Sequence, residues 1–214
     1  MAAVKICGVK DLAMLDAVAE SGAEYAGLVF FPPSPRAVSV AVAGTLARRY
    51  PGGPVLVGLF VDPCDDEVAA VLDAVPLGAL QVHAPRARAA ALRVRFGVPV
   101  WHAVGVGGPG DLPADLVGVD QLLLDHKAPP EAMVPGGNAS AFDWSVLRGW
   151  AAPGPWMLAG GLNPGNVAGA IRATGAVAVD VSSGVERMRG EKDAGLIRAF
   201  VAAAHDATGM GYDR

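Results

Sequence analysis

Eight short β-rich runs alternate with stretches of helical spacing along this 214-residue chain, and capping residues mark where several of the helical stretches begin. Strands separated by helices pair in parallel through right-handed crossovers, and the economical closure of eight such units is a barrel. The pattern therefore predicts an α/β chain folded as a single-domain (β/α)8 TIM barrel over residues 1–214, at the short end of that fold's range. An open doubly wound sheet would normally show GxGxxG after its first strand, and CGVKD does not match it.

The first strand is AVKIC (3–7), and the helix after it spans 11–21 with Ala13, Leu15, Ala17 and Val18 apolar. YAGLVFF (25–31) runs into a proline-stiffened loop and a helix over 40–50. PVLVGLF (54–60) precedes a helix over 65–75, and GALQVH (78–83) one over 86–96. PVWHAV (99–104) is followed by a poor helical segment near 111–116. VDQLLLD (119–125) leads to a helix over 142–150, PWMLAG (155–160) to one over 163–173, and AVAVDVS (176–182) to the last, over 192–207. Asp11, Ser39, Asp65, Asp143 and Asn163 are the expected caps, because each can accept a hydrogen bond from the free N–H groups of a first turn.

Composition narrows the function. A hydrophobic fraction of 52% and a mean hydropathy of +0.38 suit elements buried on both sides. A net charge of −4, with Lys and Arg scattered singly, leaves no basic footprint for nucleic acid. Cys7 and Cys64 form no CxxC, and His83, His102, His126 and His205 lack ligand spacing, so neither a disulfide framework nor a metal site is expected. The first apolar run is interrupted by Lys5 and reads as neither a secretory signal nor a membrane span; a cytoplasmic location is expected.

In a (β/α)8 barrel the active site forms from loops at the C-terminal ends of the strands. The polar candidates there are Cys7, Ser34, Arg36, Asp62, His83, Asp125, Asp180, Ser182 and Ser183, together with Gly160, Gly161 and Gly184. AGGLNPGNV and DVSSGVE are small-residue turns in which backbone N–H groups can approach an anion, which reads as a phosphate cradle; taken singly, each is also an ordinary tight turn. Arg36 follows FFPPSP, whose prolines limit the entropy lost on ordering, so its guanidinium can be presented to a carboxylate or can lie on the surface. Asp125 ends an apolar strand where desolvation would raise its pKa toward that of a general acid, or else it forms a rim salt bridge or cap. Cys7 is either a buried structural thiol or the base opposite Asp125. The tryptophans, Trp101, Trp144, Trp150 and Trp156, read as packing. An acid and a base beside a phosphate grip, with no metal or organic cofactor implied, suit isomerisation of a phosphorylated sugar.

The order and spacing of KICGVKD, FFPPSPRAVS, VGLFVD, LQVHA, LLLD, GGNASAFDW, LAGGLNPGNV and DVSSGVE followed by GEKD resemble the phosphoribosylanthranilate isomerases of tryptophan biosynthesis, over nearly the whole chain. The resemblance implies a cofactor-independent Amadori rearrangement of N-(5-phosphoribosyl)anthranilate to the 1-deoxyribulose 5-phosphate derivative. It implies Asp125 as general acid, Cys7 as general base and Arg36 facing the anthranilate carboxylate. It also implies Asp180 supporting the sugar, and Gly160, Gly161, Ser182, Ser183 and Gly184 gripping the phosphate. The implied partner is the small phosphorylated substrate, with no nucleic acid or membrane, in a monomer or homodimer.

The sequence departs from the family pattern at Ala84 after the strand-four histidine, at His126 after LLLD, in the HKAPPEAMVP loop, and at Asn138 and Ala139 in the GGNA turn. These changes surround the acid and the aromatic half of the pocket. They leave open a related isomerase recruited to another pathway, acting on a modified anthranilate or another N-glycoside. A non-catalytic phosphosugar-binding barrel is a third reading. A histidine-pathway isomerase of this fold would pair two aspartates, whereas the first strand here ends in Cys7.

Overall fold

A computed structural model describes residues 1–127 and 143–209. The GGNA turn, with Asn138 and Ala139, and the HKAPPEAMVP loop beyond Lys127 lie outside these residues. Eight parallel strands close into a barrel in sequence order: β1 (Ala3–Cys7), β2 (Tyr25–Val29), β3 (Val55–Val61), β4 (Ala79–His83), β5 (Val100–Val106), β6 (Gln121–His126), β7 (Trp156–Leu158) and β8 (Ala178–Val181). The ring closes where β1 pairs with β8, setting Lys5 beside Asp180, while β2 sets Gly27 beside Cys7.

Alternation along each strand sorts side chains between two compartments. Val4 and Ile6 of β1, Leu28 of β2 and Leu80 and Val82 of β4 face outward into the layer shared with the helices. Val57, Ala79, Trp101, Leu123, Met157, Ala159 and Ala178 fill the barrel's interior. The tryptophans pack as expected: Trp101 meets Tyr25 edge-on at 5.0 Å, and Trp150 meets Trp156 edge-on at 5.5 Å.

The described helices are α1 (Leu12–Ser21), α2 (Val40–Ala47), α3 (Asp65–Leu72), α4 (Arg86–Phe96), α5 (Val167–Thr174) and α6 (Ala194–Gly209). Asp11 and Ser39 cap α1 and α2 as expected, accepting from the N–H groups of Met14 and Val42. Two expected helices are replaced by single 3-10 turns. After β5 the turn is Pro109–Asp111, because Pro109 and Pro113 remove N–H donors that a helix there would use. After β6 it is Trp144–Leu147, capped by Asp143 and stopped by Gly149 in the left-handed region.

Three helix N-termini also differ. Cys64, not Asp65, stands at the cap of α3, where Glu67 accepts from the Cys64 N–H at 2.7 Å. Asn166, not Asn163, precedes α5, because Asn163 starts a turn whose N–H donates to the Asn166 side chain at 2.8 Å. The last helix begins at Ala194, since Lys192 belongs to a small antiparallel ribbon of β9 (Glu186–Met188) and β10 (Glu191–Lys192) that hydropathy patterning did not signal.

Candidate active site

Lys5 and Cys7 are two residues apart on β1, so both face the barrel interior. Both are buried, and Gly27 on β2 explains how they fit. A Cβ at Gly27 would lie 3.1 Å from both Cys7 Sγ and Lys5 Nζ, so glycine leaves the space that thiol and ammonium share. Lys5 Nζ donates to Asp180 Oδ1 at 2.8 Å. Burial alone would lower the Lys5 pKa, but Asp180 and then Cys7 outweigh it and raise it, keeping the ammonium charged. For Cys7 burial dominates and pushes the thiol up; Lys5 and Lys192 pull the other way.

Asp125 is the penultimate residue of β6, half-buried at the mouth of the barrel. Burial, then repulsion from Asp180, pushes its carboxyl up to about 7, against the His126 N–H that donates to Oδ1 at 2.7 Å. Gly160, at φ 84, holds the space beside this carboxyl: a Cβ there would lie 2.7 Å from the His126 nitrogen and 3.0 Å from Asp125 Oδ1. The carboxyl opens onto a cavity of about 340 Å³, lined also by Asp62, His83, Ala84, Pro85 and Val104. Burial, then Lys5 and His102, push His83 down to about 4, so it is neutral there, in contact with Gln81 Nε2 at 3.0 Å.

Arg36 is not a surface residue. Its Nε and Nη2 donate to Glu186 Oε1 and Oε2 at 2.6 and 2.9 Å, and both side chains are buried. The guanidinium is thus held on one edge by a carboxylate that sequence reasoning did not anticipate, leaving the Nη1 edge for a ligand. Gly8 makes this possible: a Cβ there would lie 2.7 Å from Arg36 Cδ. Lys192, also missed, donates to Glu186 Oε1 at 2.8 Å and to the Ser182 carbonyl at 2.9 Å. Both residues lie in the β9–β10 ribbon, where neither helical nor strand periodicity marks a buried position.

The loops after β7 and β8 pack together. A Cβ at Gly184 would collide with the Leu162 carbonyl, so only glycine admits this contact. Gly160 and Gly161 both take positive φ, 84 and 63°. Among the described residues, the backbone N–H groups of Gly161, Ser183 and Gly184 meet no protein acceptor and remain available to an anion. The Ser182 hydroxyl instead donates to the Cys7 carbonyl at 3.2 Å, tying the loop after β8 to β1. No group of three His, Cys, Asp or Glu among the described residues is placed to hold a metal ion.

Residues 4–203 match the family model for N-(5′-phosphoribosyl)anthranilate (PRA) isomerase. The chain is 52% identical over 208 residues to the N-(5′-phosphoribosyl)anthranilate isomerase of Granulibacter bethesdensis, covering 97% of this chain and 100% of that protein. Its identity to the enzyme of the same name from Acidiphilium cryptum is 51% over 209 residues, at the same coverage of 97% and 100%. Among solved structures, the phosphoribosyl anthranilate isomerase of Thermotoga maritima superposes with a TM-score of 0.85 at 35% identity, over 96% of this chain and 100% of that one. A phosphoribosyl anthranilate isomerase in complex with reduced 1-(o-carboxyphenylamino)-1-deoxyribulose 5-phosphate superposes with a TM-score of 0.83 at 34% identity, over 96% and 100%.

Proposed function

Because this chain belongs to the N-(5′-phosphoribosyl)anthranilate isomerase family, we propose that Cys7 and Asp125 are the general base and general acid of its reaction. The enzyme converts N-(5′-phosphoribosyl)anthranilate to 1-(2-carboxyphenylamino)-1-deoxyribulose 5-phosphate in tryptophan biosynthesis. One observation carries the assignment: a carboxyl at the barrel mouth, held at about 7, opens onto a cavity, and it feels the same Lys5 and Asp180 charges that act on the Cys7 thiol.

Protonated Asp125 gives its proton to the furanose ring oxygen, the C1′–O bond breaks, and the sugar opens to a Schiff base. Cys7 thiolate then removes the C2′ proton, and the resulting enolamine tautomerises to the ketone. Burial keeps Cys7 mainly as the thiol, and Lys5 and Lys192 oppose that, lowering the cost of forming the thiolate that takes the proton. Arg36 takes the anthranilate carboxylate on its free edge, Asp180 supports the sugar end, and Gly160, Gly161, Ser182, Ser183 and Gly184 hold the phosphate, chiefly through backbone N–H groups. Residues 1–214 act as one barrel domain, as a monomer or homodimer, in the cytoplasm where phosphorylated intermediates are retained.

No observation on the described residues favours the recruited or the non-catalytic reading. Turnover is followed as loss of anthranilate fluorescence when the purified enzyme is given phosphoribosylanthranilate. Cys7→Ser and Asp125→Asn should each lower kcat by about 10²–10⁴-fold. Wild-type rates in either variant would overturn the assignment.

A further inference from the structure

We propose that Glu186 is the positioning residue for Arg36, aiming its free edge at the substrate carboxylate and coupling that contact to the strand carrying Cys7. The inference rests on Arg36 meeting the carboxylate as proposed above.

The guanidinium is a planar fork of five N–H donors. Glu186 takes the Nε–Nη2 edge at 2.6 and 2.9 Å, which leaves the two Nη1 N–H groups and the second on Nη2. That remaining edge can receive a second carboxylate in the same plane. A buried arginine without such an anchor would swing among rotamers, and the first carboxylate therefore sets the direction offered to the second.

Glu186 is itself immobilised. Oε1 accepts from Lys192 Nζ at 2.8 Å, and Oε2 from the Gly190 N–H at 3.0 Å. Burial works against this carboxylate, yet the bonds from Arg36, then Lys192, hold its pKa down at about 2. Lys192 Nζ meets three acceptors, Glu186 Oε1, the Ser182 carbonyl and, at 3.4 Å, Ser182 Oγ, the full complement of an ammonium. Ser182 Oγ donates to the Cys7 carbonyl. Arginine, carboxylate, ammonium, serine and base strand thus form one continuous chain.

Two further features support a role in binding an anion. Arg36 and Lys192 are two buried cations sharing one carboxylate, so the group keeps one positive charge out of water, a state that an incoming anion relieves. The ribbon is also fitted to the Arg36 loop: Gly190 takes φ 81, and a Cβ there would lie 2.8 Å from the Pro35 carbonyl oxygen.

The test uses two stable ligands, reduced 1-(o-carboxyphenylamino)-1-deoxyribulose 5-phosphate and the same compound without its carboxyl group, with Kd measured by calorimetry on wild type and the isosteric Glu186→Gln. Wild type should prefer the carboxylated ligand by about tenfold or more, as a charge-assisted pair gives. Glu186→Gln should erase most of that preference while changing the Kd for the other ligand by less than about threefold, which also reports a folded site. If wild type shows no preference, the Arg36 reading itself fails. If the preference exists but survives in Glu186→Gln, or affinity falls equally for both ligands, the positioning role is overturned. Tighter binding of the carboxylated ligand by Glu186→Gln would also overturn it, by showing that Glu186 competes with the substrate.

Discussion

Replacing Asp125 with asparagine should stabilise the fold at pH 8 and leave it nearly unchanged at pH 4. The carboxyl has a pKa of about 7 in the folded enzyme, against an ordinary value of 3.8. A group whose pKa is raised by folding favours the native state below its unfolded value, and that advantage is lost as pH rises through the folded value. Here the loss falls between about pH 4 and pH 7, where the unfolded chain ionises freely and the native barrel resists. Three pKa units at 1.36 kcal/mol each set a ceiling of about 4 kcal/mol, to be discounted because the carboxyl is only half-buried beside the cavity. Asparagine keeps the shape and cannot ionise. Urea unfolding of wild type and Asp125→Asn at pH 4, 6 and 8 should therefore show a stability difference that grows in the variant's favour with pH, by up to about 4 kcal/mol. A difference that stays constant across that range would refute the raised pKa, and with it the reason this carboxyl holds a proton near neutrality. On the proposed role of Asp125 as general acid, the substitution that stabilises the barrel would be the one that slows turnover, since the same desolvation strains the fold and keeps the carboxyl protonated.

Two further outcomes follow from the packing around the proposed base, Cys7, and the loops proposed to hold the phosphate. In a Cys64→Ser background, which removes the exposed thiol and leaves a preferred capping residue, Lys5→Gln should shift the pH midpoint of Cys7 alkylation by iodoacetamide upward. It should also cost about 3–5 kcal/mol of stability by stranding Asp180, and an unmoved midpoint would remove Lys5 from thiolate support. Gly184→Ala should raise KM for the phosphorylated substrate several-fold more than it lowers kcat, because the added methyl must displace the Leu162 backbone and open the cradle. Steady-state kinetics that leave KM at the wild-type value would show that the contact does not shape phosphate binding.

Much of the barrel is written in local pattern. β1 spans the same five residues that its apolar run marks, and the alternation that sends Val4 and Ile6 outward sends Lys5 and Cys7 inward without reference to any other strand. Caps that depend on one side chain and one turn, such as Asp11 and Ser39, were legible for the same reason. The two helices replaced by 3-10 turns show where local reading weakens. Prolines at 109 and 113 argue against a helix, but whether a barrel still closes over a shortened crossover is a matter of packing.

By itself, then, the sequence determined the eight βα units and the membership of the strand ends, Cys7, Asp125 and Asp180 among them, because side-chain direction in a strand repeats every two residues and crossovers run one way. Tertiary structure alone decided what those groups are chemically. The Asp125 pKa near 7 is a sum over burial and Asp180, two strands away across β7, and the Lys5–Asp180 ion pair exists only because β1 meets β8 across 175 residues. The partner of Arg36 is likewise found 150 residues away in a ribbon with no periodic signature, since electrostatic energy depends on distance through space and the chain records only distance along itself.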